Sequence, residues 1–168
     1  MSAGARPNNA AAVLISPIRT DAELKLAAGL FGEYAASLDV DLNVQGFAQE
    51  LAGLPGGYAP PRGELLLARD AAGAALGCIA LRPLAGAACE IKRLYVRPEA
   101  RGRDVGAALV GAVTRTARDL GYGEIRLDTL PSMTAAIALY RRLGFGPIPA
   151  YGEAVLPGLM YFGKAVQD

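Results

Sequence analysis

Three arginines crowd one short loop of this chain. Arg97, Arg101 and Arg103 stand around Gly102, between a strand-like run ending at Val96 and a long helical run beginning at Val105. The first amides of a helix lack internal partners, and its macrodipole places partial positive charge there. Gly102 lets the backbone come close to a ligand, and the arginines add charge. Together these features form a cradle for a phosphate or pyrophosphate. A solvated basic loop capped by Asp104 accounts for the same residues, and physics alone leaves both open. The spacing is not a P-loop, since no Gly-Lys-Ser/Thr follows, and G-x-G-x-x-G is absent.

Carboxylates carry the second chemical signal. Glu90 lies six residues before Val96 in an otherwise apolar strand, where a carboxylate is unexpected unless paired or used. Its plain alternative is a strand-end ion pair with Lys92 or Arg93. Asp128 sits near the end of the next strand, a position that commonly lines the acceptor side of α/β sites. It either binds a substrate ammonium or caps the helix after Ser132. The chain has no histidine. That excludes Ser-His-Asp and Cys-His mechanisms and any His-ligated metal. Chemistry is left to carboxylates, tyrosines, lysines, backbone amides or a bound cofactor.

The elements that must position these groups are legible from periodicity. Thr20 and Glu23 form a T-x-x-E capping box. Leu24, Ala27, Ala28, Phe31, Tyr34, Ala35 and Leu38 then recur at helical spacing. A second short helix starts near Asn43, with Phe47, Leu51 and Leu54 on one face. Strands are expected over 13–17, 64–69, 75–81, 87–96, 124–130, 145–148 and 159–165. Helices are expected over 105–120 and 132–143, ended by Gly121 and Gly144. The order is β-α-α-β-β-β-α-β-α-β-β, a single mixed α/β domain over 13–168 with helices on both faces. Its central strand–helix–strand units predict a locally parallel sheet.

The totals narrow the partners. A chain of 168 residues, 52% hydrophobic, suffices for one domain with a substantial core. Residues 1–12 read as a loose tail without the pattern of a signal peptide. No apolar run reaches the ~18 residues of a membrane span. A net charge of +1 argues against nucleic acid as the main partner. Cys78 and Cys89 lie in apolar strand sequence, which suits two buried thiols in a reducing cytoplasm.

The run Ile91-Lys92-Arg93-Leu94-Tyr95-Val96-Arg97-Pro98, with Ala100-Arg101-Gly102-Arg103 after it, resembles motif A of the GNAT family of N-acetyltransferases. Of the family pattern R/Q-x-x-G-x-G/A, Arg101 and Gly106 match, and Asp104 stands where the first glycine is usual. Ala136-Ile137-Ala138-Leu139-Tyr140, then Arg141-Arg142-Leu143-Gly144-Phe145, resembles the family's A-x-x-x-Y-x-x-x-G-F segment. Met133 occupies a place where many members carry asparagine. The resemblance covers roughly residues 13 to 166.

It implies acetyl-CoA as acetyl donor and no metal. Leu94, Tyr95 and Val96 would offer backbone groups to the pantetheine arm. Arg101, Gly102, Arg103, Val105, Gly106 and Ala107 would cradle the pyrophosphate, and strand 124–130 would splay from its neighbour to make the slot. Tyr140 matches the tyrosine that assists the departing thiolate. Glu90 resembles the glutamate that some histone-modifying members use as general base. Acceptor selection is expected from the 39–45 and 149–157 connections, with Tyr151 and Glu153 in the latter and Tyr151 a substrate-binding candidate beside Asp128. Tyr34, Phe47 and Tyr58 are candidates to line the same side, with core packing the plainer reading for each. A small-molecule amine is the expected acceptor. A protein amine, a non-catalytic CoA-binding module and a plain phosphate-binding domain are the alternatives. A homodimer through the final strands would suit the family.

Overall fold

In the computed structural model, which describes residues 12–153 and 156–166, the Thr20 hydroxyl oxygen accepts from the Glu23 amide at 3.2 Å. The same hydroxyl donates to the Glu23 carboxylate at 2.9 Å. This reciprocal cap starts helix α1 (Asp21–Ala36), which follows strand β1 (Leu14–Pro17). The predicted second helix is divided. A 3-10 turn over Leu42–Gln45 ends at Gly46, whose φ of 75° breaks the helix before α2 (Phe47–Ala52) begins.

Strands β2 (Glu64–Arg69), β3 (Ala75–Pro83) and β4 (Ala88–Val96) form an antiparallel meander. Helix α3 (Val105–Asp119) leads to β5 (Glu124–Thr129), and α4 (Thr134–Arg142) leads to the two-residue β6 (Gly146–Pro147) and to β7 (Met160–Ala165). The element order is the one expected, with ends shifted by one or two residues. The proposed tail, residues 1–12, lies outside the described residues except for Ala12.

The strands make one seven-stranded sheet in the order β1-β2-β3-β4-β5-β7-β6. Only β4 and β5 run parallel, as the α3 crossover demands. Strand β2 shows how the sheet divides the core. Leu66 and Ala68 join the cluster packed by α3 and α4, whereas Leu65 and Leu67 join the cluster holding Ala27, Leu30 and Phe31 of α1 and Phe47 of α2. Side chains alternate across a strand, so one buried strand serves both faces.

Two departures from regular sheet geometry create the site. Cys78 pairs with Tyr95 but Ala80 pairs with Lys92, so β4 carries one extra residue opposite β3. Arg93 lies in this bulge with a φ of 58°. Bulges sharpen twist and re-aim the strand. Beyond it, β4 follows β3 while β5 stays paired with β7 along its whole length. The parallel pairing of β4 and β5 is limited to Ala88–Glu124, Cys89–Ile125 and Glu90–Arg126. The two strands therefore diverge, and a gap opens at the middle of the sheet.

Candidate active site

The gap leaves the β5-facing side of β4 after Glu90 without ladder partners. Those unpaired backbone groups need hydrogen bonds from elsewhere. A groove of about 440 Å³ runs from this edge to the start of α3 and along α4. Leu94, Tyr95 and Val96 form one wall, and Arg101, Gly102, Val105, Gly106 and Ala107 form its far end. Eight of the nine residues expected to bind the cofactor thus line one groove. Arg103 is exposed and lies outside its lining.

Gly106 sits close to α4: a Cβ there would meet Leu139 Cδ2 at 3.1 Å, a tight contact that the leucine side chain would have to relieve by a few tenths of an ångström. The free amides at the start of α3 open into the groove, which suits a pyrophosphate. Arg97 is not part of the cradle. Its guanidinium binds Glu33 at 2.9 Å and the Ala75 carbonyl at 3.0 Å, tying α1 to the end of β4. Arg142, on α4, was not singled out in the sequence, yet it lines the groove. Its position two residues after Tyr140 was the available signal.

Asp104 does not cap α3. It adopts a left-handed φ of 57° with no side-chain cap bond. Its carboxylate is 86% exposed and lies 3.8 Å from Arg142. Asp104 is among the residues lining the mouth of the groove, but its carboxylate stays exposed to solvent and within reach of Arg142.

At its inner end the groove narrows to a pocket holding Tyr34, Leu94, Thr129, Met133 and Tyr140. Tyr140 is buried, its ring 5.7 Å from Phe145 at an edge-on angle of 62°. Its hydroxyl has no hydrogen-bond partner among the described residues. Burial holds the phenol well above its ordinary pKa, with smaller contributions from Tyr34 and Asp128. The group is a neutral donor aimed at a small cavity. Tyr34, expected in the core, lines this pocket and the groove as well. Tyr58 is a core aromatic whose hydroxyl donates to Glu50, and Phe47 packs under the Arg93 guanidinium at 5.3 Å.

On the other side of the pocket lies a polar cavity of about 270 Å³. Glu90, 1% exposed, faces it. Its principal partner is neither Lys92 nor Arg93, as adjacency suggested, but Arg82, which sits directly opposite in the β3–β4 register. Arg82 donates to Oε1 at 2.7 Å, and the Tyr151 hydroxyl donates to Oε2 at 2.5 Å. Lys92 stands off at 3.9 Å. Burial, then the Glu90 charge, raises the Tyr151 hydroxyl far above its ordinary pKa, so it remains a donor. The Tyr151 ring is held edge-on to Tyr161 at 5.5 Å, with Arg126 over its face at 5.6 Å.

Arg93 is claimed by Glu50 of α2 through bonds of 2.9 and 3.2 Å. Asp128 does not cap α4, whose N-cap is Met133 without a side-chain bond. It faces Lys92 at 3.4 Å instead. Lys92, Arg93, Asp128 and Leu159 line both the inner pocket and the polar cavity, and so form their shared wall. Among the described residues no group of three potential ligands is placed to hold a metal, and no helix is long and apolar enough to cross a membrane.

The sequence model of the acetyltransferase (GNAT) family matches residues 37–145. An uncharacterized N-acetyltransferase of Schizosaccharomyces pombe is 38% identical over 157 residues, 93% of this chain and 94% of that protein. A crystal structure described as an acyl-CoA N-acyltransferase from Klebsiella pneumoniae superposes with a TM-score of 0.72 at 29% identity, covering 92% of this chain and 98% of its own. An aminoglycoside 6'-N-acetyltransferase solved with coenzyme A shares the fold at a TM-score of 0.69 and 17% identity, over 92% of this chain and 98% of its own. A groove at a split in the sheet, a neutral tyrosine at its inner end and these likenesses agree: the chain belongs to the GNAT family of acetyltransferases.

Proposed function

We propose that this protein moves an acetyl group from acetyl-CoA to the amine of a small molecule, by direct attack within a ternary complex. The observation that carries the reading is the shared wall. A groove suited to the donor and a polar cavity suited to an amine both adjoin one small inner pocket, which is lined by Tyr140, Lys92 and Asp128. When bound, acetyl-CoA supplies the thioester carbonyl and a thiolate leaving group.

The chain's own residues divide the remaining work. The unpaired edge of β4 at Leu94–Val96 offers amides that hold the donor arm and meet negative charge developing at the carbonyl oxygen. Arg101, Gly102, Val105, Gly106 and Ala107 hold the pyrophosphate, and Arg103, outside the lining, adds positive charge nearby. Tyr140, kept protonated by burial, donates to the departing sulfur. The acceptor arrives as an ammonium and must lose a proton. Asp128 faces both cavities and accepts one long bond, so it has lone pairs free to take that proton. Glu90, the base suggested by resemblance, already accepts short bonds at both oxygens. We assign it to holding Arg82 and Tyr151 in the acceptor wall. A cavity of about 270 Å³ favours a small acceptor over a protein surface.

The test is release of free CoA thiol from acetyl-CoA in the presence of a panel of small amines. Wild type is expected to turn over at least one of them. Tyr140→Phe keeps the ring packing and is expected to lower kcat about 100-fold, with little change in the KM for acetyl-CoA. Binding of acetyl-CoA without turnover of any amine would overturn the reading in favour of a non-catalytic CoA-binding module.

A further inference from the structure

The charges around the acceptor cavity are not equally satisfied. Arg82 is matched to Glu90 at 2.7 Å, and Arg93 to Glu50 at 2.9 and 3.2 Å. Tyr151 takes the second oxygen of Glu90. These pairs have the lengths of charge-assisted hydrogen bonds. Lys92 does not. Its side chain is 10% exposed, yet its ammonium reaches Asp128 only at 3.4 Å and Glu90 only at 3.9 Å. A buried ammonium has three donors to satisfy and gains little from contacts that long. Asp128 has no other hydrogen bond among the described residues. The shared wall therefore holds one cation and one anion, each under-bonded and turned to the same space.

A polyamine would meet the carboxylate but be repelled by Lys92. A simple monoamine would satisfy Asp128 and leave Lys92 as poorly bonded as before. A molecule with an ammonium and a carboxylate one or two carbons apart satisfies both. Its ammonium binds Asp128, its carboxylate binds Lys92, and two loose opposite charges become two matched pairs. Asp128 and Tyr140 line the same inner pocket, which puts the bound ammonium on the reacting side. We infer that the acceptor is an amino acid, and that Lys92 is the residue that selects its carboxylate. This inference rests on the acetyl-transfer reading above and narrows its substrate.

The experiment compares kcat/KM, at saturating acetyl-CoA, for amino acids and for the same molecules without the carboxylate. Phenylalanine against phenethylamine and leucine against isoamylamine are suitable pairs. In wild type the amino acid of the preferred pair is expected to lead by about tenfold or more, the scale of one charged hydrogen bond. Lys92→Met is expected to bring the ratio close to one, and Lys92→Arg to retain most of it. Acetyl-CoA titration of each variant reports whether it is folded, and if Lys92→Met is not, the wild-type ratio alone decides. Decarboxylated amines turned over as well as amino acids would overturn this inference and leave acetyl transfer standing. A preference that survives Lys92→Met would overturn the role of Lys92. Turnover of neither class, with acetyl-CoA still bound, would overturn this inference, and acetyl transfer falls with it only if the wider amine panel fails as well.

Discussion

Asp104 places a negative charge beside the groove proposed for the donor. Its position was visible in the sequence, but its direction was not, because direction follows from the left-handed φ of 57°. That conformation costs an L-residue about 1–2 kcal/mol. In Asp104→Gly the strain is relieved, but a more flexible unfolded chain returns about 0.5–1 kcal/mol, and the favourable charge near the N-terminus of α3 is lost. Stability is therefore expected to change little. Affinity is expected to move, because a negative charge near the cradle disappears. Calorimetric titration with CoA is expected to show binding about two- to fivefold tighter, the scale of one exposed charge near a helix end, with the gain shrinking as salt rises. Unchanged or weaker binding at low salt would show that Asp104 does not feel the phosphates. The partner of Glu90 was a similar case. Sequence adjacency pointed to Lys92 or Arg93, whereas the cross-strand register brings Arg82 opposite.

At the scale of elements, α2 matters more than its six residues suggest. Glu50 accepts from Arg93 at the β4 bulge and from Tyr58 at 2.8 Å, and so fastens the strand where it turns away from β5. Glu50→Ala strands a guanidinium that is 6% exposed, and breaking such a pair is expected to cost about 3 kcal/mol. Urea denaturation checks this, and Glu50→Gln, which keeps an acceptor, should lose distinctly less. The sequence announced helix starts and stops clearly, through Thr20 with Glu23, Gly121 and Gly144, since caps are written in residue type. It did not announce the bulge, because an arginine inside a strand carries no mark of a positive φ. Nor did it announce the Glu50–Arg93 and Glu33–Arg97 ties, 43 and 64 positions apart, because these exist only once α1 and α2 lie on the sheet.

For the molecule as a whole, two buried thiols give stability a pH dependence. Burial pushes both Cys78 and Cys89 up from 9.0 to about 12. The folded state keeps these protons while the unfolded state releases them, so the contribution is complete below pH 9 and is lost as pH rises towards 12. Tyr58, Tyr140 and Tyr151, also raised by burial, add to the loss above pH 10. The urea midpoint is expected to fall from pH 9 upward, and the Cys78→Ala, Cys89→Ala double variant to flatten the first part of that fall. An equal slope in the variant would assign the loss elsewhere. The split in the sheet has a mechanical consequence too. Three residue pairs, from Ala88–Glu124 to Glu90–Arg126, are the whole ladder joining β1–β4 to β5–β7. They act as a hinge pin near one end of a long seam. In the proposed complex the donor lies along this seam against the exposed edge of β4 and works as mortar between two half-sheets, so amide hydrogen exchange on β4 and β5 beside the gap is expected to slow when acetyl-CoA is added.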